Sequence, residues 1–224
     1  MSQITLTFDN GPTEAVTPWV LDVLAKYDIR STFFVLGKNI VEPSNRALMH
    51  RAREEGHWIG NHTFTHEVPL GKSTVESACD DEIGRTQSLI GGAAHPDKLF
   101  RPFGGGGILG PHLLSRAACT YLEAGGYTCV LWNSISRDWE DPDGWVDTAL
   151  QQCAHLENAL TVLHDYETGA MRILERFIVR ALERGDSFQQ AFPPACVPMH
   201  RGVRMLPMDS FVCTPVRATE GDHQ

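Results

Sequence analysis

Short apolar runs punctuate the chain. Ile4–Phe8, Ser31–Leu36, His57–Gly60, Lys98–Arg101, Tyr127–Trp132 and Leu160–Leu163 are each rich in Val, Ile, Phe, Thr or Leu and bounded by turn residues, and Ser187–Phe192 is a weaker example. They recur at intervals of roughly 30 residues, the spacing of repeated βα units. Alternation of apolar and polar positions is poor in several of them, as expected for strands covered on both faces. Helical signals lie between. Thr17-Pro18 offers an N-cap followed by Pro at the first helical position, and Val20, Leu21 and Leu24 then recur at helical spacing. Ser73-Thr74-Val75-Glu76 has the form of a capping box. Residues 111–124, 142–156 and 169–184 read as further helices, the last closed by Gly185.

Seven βα-type units predict an α/β fold, a closed or nearly closed barrel, with a doubly wound open sheet as the rival. No G-x-G-x-x-G follows the first strand, which removes the signature of a dinucleotide fold. Gly104–Gly107 lacks the Lys-Ser/Thr of a phosphate loop. Residues 1–192 are expected to form the barrel. Residues 193–224, Pro-rich with little periodicity, read as a loop or cap of the same domain over one face, and His200 and Arg201 are candidates to reach the site from it.

At 224 residues and 42% hydrophobic, the chain can bury one sizeable core. Lys and Arg number 19 against 28 Asp and Glu, a formal charge of −9 that argues against a nucleic-acid partner. No segment approaches the roughly 20 apolar residues that cross a bilayer, so no membrane partner is expected. The start at Met1-Ser2-Gln3 has no basic or apolar leader region, so a cytoplasmic location is expected. Six cysteines without a CxxC pair read as buried thiols, and a Cys196–Cys213 bridge is not expected. A Pro- and Met-rich tail could serve a homo-oligomer contact.

Candidate chemistry gathers at the ends of the predicted strands, where α/β barrels carry their active sites. Asp9-Asn10, His62 with His66, Arg101 with Phe103, Asp138-Trp139 and His164-Asp165 follow five of them. His62 and His66, four apart, could share one metal ion or be two surface histidines on a turn, and Asp9 or Asn10 could supply an oxygen ligand. Asp9 and His164 could act as base and acid on opposite sides of a substrate. Arg101 could pair with Asp9, and Asp138 could orient His164. Trp139 and Leu163 are apolar and would line the wall beside the reacting group, or belong to the core.

The sequence resembles the polysaccharide deacetylase family, the NodB-homology or carbohydrate esterase family 4 group, over residues 4 to about 190. Thr7-Phe8-Asp9-Asn10-Gly11-Pro12 is similar to its TFDDGP motif, in a subgroup reading TFDNGP. His62-Thr63-Phe64-Thr65-His66 matches its HxxxH motif. Phe100-Arg101-Pro102-Phe103-Gly104, Arg137-Asp138-Trp139 and Val162-Leu163-His164-Asp165 resemble its third, fourth and fifth motifs.

The resemblance implies a distorted (β/α)7-type barrel and a metal-dependent hydrolase of C–N bonds. The expected substrate is an N-acetylated amino sugar or oligosaccharide. The alternatives are a cyclic imide or ureide, as in allantoinase-like relatives, or binding without catalysis. Carried over by position, Asp9 would be general base and His164 general acid, tuned by Arg101 and Asp138. His62, His66 and Asn10 would hold one divalent ion, zinc first, with cobalt or another divalent ion as alternatives. Trp139, Leu163 and Phe103 would contact substrate. Two departures stand out. Asn10 replaces an aspartate ligand, and the third motif is one residue short and runs into four glycines.

Overall fold

The computed structural model describes residues 1–213. In chain order its strands and helices are β1 (Gln3–Asp9), α1 (Thr17–Lys26), β2 (Thr32–Val35), α2 (Pro43–Glu54), β3 (Trp58–Asn61), α3 (Arg85–Ile90), β4 (Leu99–Phe100), α4 (Arg116–Gly125), β5 (Thr128–Cys129), β6 (Ser134–Ile135), α5 (Trp145–Ala154), β7 (Asn158–His164), α6 (Leu174–Glu183), β8 (Ser187–Gln189), β9 (Met199–His200) and β10 (Val203–Arg204). A π-helical turn, Cys79–Gly84, leads directly into α3.

The sheet order is β10-β9-β5-β4-β3-β2-β1-β7-β6, with β8 also pairing β1. β1 to β7 are joined by parallel pairings, and β1 stands between β2 and β7, so early and late strands of the chain meet. That return wraps the sheet into a distorted, incompletely closed (β/α) barrel rather than a doubly wound open sheet. β9 adds to β5 antiparallel, and β10 to β9.

Strand periodicity divides the interior into two cores. Along β1, Ile4, Leu6 and Phe8 face the helices and pack with Val20, Leu24, Phe177 and Ile178. Thr5, Thr7 and Asp9, all buried, occupy the opposite face. Within the barrel, Phe34, Phe100, Leu160 and Val162 form the second core with Trp132 and Met199. Each fully buried Leu, Ile or Phe contributes about 1.5–3 kcal/mol, so packing fixes the helix-side face of β1, while hydrogen bonds of Thr5, Thr7 and Asp9 fix the other.

Among the described residues only one α-helix, α4, has a side-chain N-cap. Ser115 caps α4 by accepting from the Ala118 N–H at 3.0 Å, and Gly126 closes it in the left-handed region. The helix expected over 111–124 therefore begins at Arg116. Thr17 does not cap α1. Its hydroxyl donates to Asp165 Oδ2 at 2.7 Å and accepts from the Thr13 N–H at 2.8 Å, a tertiary use that local sequence does not announce. The Ser73–Glu76 capping box does not form; Ser73 Oγ accepts from the Val75 N–H, and helical structure begins later. A 3-10 turn, Ala170–Ile173, occupies the first part of the helix expected from residue 169.

In the C-terminal segment β9 pairs with β5 and β10 with β9, the rest of residues 193–213 is loop and 3-10 turn with Cys196 and Met199 buried, and residues 214–224 lie outside the described residues. Cys196 and Cys213 are free thiols. Among the described residues no helix is long and apolar enough to cross a membrane.

Candidate active site

Strand ends deliver the side chains. β1 ends at Asp9, in register with His164 at the end of β7, so carboxylate and imidazole stand side by side at one end of the barrel. His62 follows β3, Arg101 follows β4, and Asp138 follows β6, a two-residue strand just beyond the predicted run Tyr127–Trp132. A pocket of about 230 Å³ opens there, lined by Asp9, Asn10, His62, His66, Phe103, Trp139 and His164 among others.

Asp9 is fixed by Arg101. The guanidinium, fully buried, donates from Nη1 to Asp9 Oδ1 at 2.8 Å and to Thr7 Oγ1 at 2.7 Å, and from Nε to the Val130 carbonyl at 3.3 Å. It also lies 4.1 Å from the Phe34 ring centroid. Burying a cation costs several kcal/mol, and only a paired, hydrogen-bonded arrangement of this kind offsets that cost. The other Asp9 oxygen, Oδ2, is 3.5 Å from His62 Nε2.

His62 and His66 both present neutral imidazoles. Burial pushes the pKa of His62 down, and burial with the neighbouring His62 pushes that of His66 down to about 2. His62 Nδ1 lies 2.9 Å from the Arg101 carbonyl, which fixes the tautomer with Nδ1–H donating and the Nε2 lone pair facing Asp9. The two rings are 4.9 Å apart, and Phe103 packs 3.8 Å from His66. Beside them Asn10, with φ 72°, buries an Oδ1 that has no hydrogen-bond partner. Two imidazole lone pairs and an orphaned amide oxygen on one pocket fit a divalent cation. Among the described residues no cluster of three His, Cys, Asp or Glu side chains is placed to hold an ion.

His164 is anchored to Asp138, which is fully buried. Nδ1 lies 2.8 Å from Asp138 Oδ1, and the His164 N–H donates to Asp138 Oδ2 at 3.0 Å. Burial opposes the imidazolium, but the charge and hydrogen bond of Asp138, with Asp9 and Asp165 nearby, outweigh it and raise the His164 pKa. Trp139 meets the ring edge-on at 4.8 Å.

Of the residues expected at the site, Asp9, Asn10, His62, His66, Phe103, Trp139 and His164 line the pocket, while Arg101 and Asp138 stand behind it. Leu163 is not there. It is one residue from His164 on a strand, so it points the other way into the helix-side core, and Val162, two residues from His164, faces the pocket instead. Trp132, Ile135 and Tyr166 also line the pocket. Strand parity could have found Val162. Trp132 and Ile135 depend on where β5 ends and β6 begins, which composition does not reveal. His200 and Arg201 do not line the pocket; Arg201 pairs with Asp97 instead.

The third motif continues as a loop in which Gly105, Gly106 and Gly107 have φ 55°, 95° and 79°. Only glycine adopts such a run without strain. Its carbonyls are tied down by side chains, Trp132 Nε1 donating to Gly107 at 3.0 Å and His112 Nε2 lying 2.9 Å from the Gly104 oxygen.

Known proteins resemble this chain in sequence and in fold. The family profile described as polysaccharide deacetylase matches residues 2–130. A chitooligosaccharide deacetylase of Rhizobium leguminosarum bv. trifolii is 35% identical over 164 residues, 72% of this chain and 71% of that protein. The peptidoglycan-N-acetylglucosamine deacetylase PgdA of Listeria monocytogenes is 27% identical over 83% of this chain, which spans only 37% of that relative's length. Among solved structures, the family 4 carbohydrate esterase from Streptomyces lividans in complex with acetate is similar at TM-score 0.69 and 26% identity, over 92% of this chain and 98% of that one.

Proposed function

Because the chain belongs to the polysaccharide deacetylase family, we propose that it is a hydrolase that removes acetyl groups from N-acetylated amino sugars, as oligosaccharides of the N-acetylglucosamine type. The observation that carries this reading is the pairing of Asp9 and His164 across one pocket that also presents neutral His62 and His66 beside the orphaned Asn10 oxygen. The printed names of its relatives, deacetylases of chitooligosaccharide and of peptidoglycan N-acetylglucosamine, support the sugar over a cyclic imide or ureide.

His62, His66 and Asn10 would hold one divalent ion, zinc by the nitrogen-rich donor set. When bound, that ion supplies Lewis-acid polarisation of the acetyl carbonyl. Asp9, oriented by Arg101, removes the proton from the attacking water. His164 protonates the departing nitrogen through Nε2, because its Nδ1 is committed to Asp138. Trp139, Val162 and Ile135 form an apolar wall suited to the acetyl methyl.

A substrate panel tests this. Acetate release from acetylated chito-oligosaccharides, lost in Asp9→Ala, is the expected result, together with about one equivalent of zinc by elemental analysis. Ring opening of imides or ureides with no acetate released would refute it.

A further inference from the structure

The two histidines of the HxxxH turn are secured differently. His62 sits at the end of β3, and its ring is anchored through Nδ1 to the Arg101 carbonyl. Among the described residues the ring of His66 makes no such hydrogen bond. Its position depends on Phe103 and on the main chain of the turn, which contains two non-glycine residues at positive φ, Thr63 at 69° and His66 itself at 58°. Residues held in that region cost energy and persist only where their surroundings over-determine them.

Residues 63–65 show how that is done. Their carbonyls accept from Gly37 N–H at 3.0 Å, from Lys38 N–H at 3.1 Å and from Lys38 Nζ at 2.8 Å. On the amide side, Thr63 N–H donates to Asn61 Oδ1 at 3.0 Å. The other two amides go to one side chain. Glu82 Oε2 accepts from Phe64 N–H at 2.8 Å and Thr65 N–H at 2.9 Å, while its Oε1 accepts from Thr65 Oγ1 at 2.7 Å. Glu82 is carried by the π-helical turn, a local widening of the helix of the kind found at functional positions. Ile83, next to it, is fully buried, so the carboxylate is held from a fixed base.

We propose that Glu82 is a positioning residue: through three hydrogen bonds to residues 64 and 65 it sets where His66 presents its nitrogen, and so sets the affinity and coordination geometry of the ion. The inference rests on the reading that His62 and His66 hold a divalent ion. Outer-shell partners that orient ligands are worth 10–100-fold in metal affinity, and a carboxylate accepting three hydrogen bonds from the ligand-bearing turn is such a partner.

The test is a Zn²⁺ competition titration against a chromophoric chelator, with Co²⁺ absorption spectra, on the whole chain and on Glu82→Ala, Glu82→Gln, His66→Ala and the double variants. Glu82→Ala is expected to bind Zn²⁺ 10–100-fold more weakly and to shift the Co²⁺ bands. Glu82→Gln, which keeps one acceptor oxygen, is expected to lose less. On the His66→Ala background, removing Glu82 is expected to cost no further affinity, because its effect runs through His66. Wild-type affinity in Glu82→Ala, or an undiminished loss on the His66→Ala background, overturns the proposal and leaves the metal reading standing. Failure of the wild type to bind Zn²⁺ overturns both. If Glu82→Ala does not fold, Glu82→Gln carries the same cycle.

Discussion

Asp138 grips His164 at two points, side chain to ring and side chain to main chain, with Oδ1 2.8 Å from Nδ1 and Oδ2 accepting the backbone N–H at 3.0 Å. The first contact sets the protonation of the ring and the second its place at the strand end. Burial alone would lower the His164 pKa; Asp138 reverses the sign and raises it above 6.5. A reaction that draws on the His164 proton therefore stays active above that value and declines as pH rises through the raised pKa. Asp138→Asn removes the charge, burial prevails, and the alkaline limb of kcat is expected to move to lower pH, with the rate down about 10²–10⁴-fold. An alkaline limb that stays in place in Asp138→Asn would remove His164 from the acid role.

Arg101 joins β4 to Asp9 and Thr7 from a position with no solvent exposure. Arg101→Ala leaves Asp9 buried without its cation and is expected to cost about 3–5 kcal/mol of stability. Arg101→Lys restores the charge but not the planar fork, and only part of the loss. Denaturant unfolding of the three proteins measures this, and an unchanged midpoint in Arg101→Ala would contradict the role given to the pair.

Asn10 brings an oxygen without a charge to two neutral imidazoles. Asn10→Asp adds that charge, and Zn²⁺ affinity is expected to rise at least tenfold, about 1.4 kcal/mol, in a chelator competition. Equal affinity in the two proteins would mean that residue 10 is not a donor.

Gly11 lies against Asp165 so closely that a Cβ there would overlap the carboxylate, which itself accepts from Thr17 Oγ1. Gly11→Ala must displace the turn that carries Asp9 and Asn10. Turnover is expected to fall about 100-fold, the usual cost of moving a reacting group by an ångström. Asp165→Ala in the same chain is expected to recover part of it by making room. Wild-type turnover in Gly11→Ala would show that this close approach is not what places Asp9.

The residues proposed for the chemistry were legible because strand ends mark them: Asp9, His62, Arg101 and His164 each lie at the end of an apolar run of β character. Parity along the strand was the error at Leu163, where a pocket residue was sought one position away from the face that His164 occupies. Glu82 left no mark, since it reaches the HxxxH turn from 16 residues further along the chain, across a fold that local pattern does not specify. Thr17 likewise carries a capping signal that tertiary contact redirects to Asp165.

The antiparallel addition of β9 to β5 bears on more than the barrel's shape. Without it, β5 would show a row of unpaired amides and carbonyls to solvent, a template on which another copy could add. β10, which takes over that exposed border, is two residues long and ends in Arg204, a short and charged edge that discourages such growth. A chain cut after residue 192 would lose buried Cys196 and Met199 and uncover β5 together. Its failure would be self-association before it was loss of the pocket.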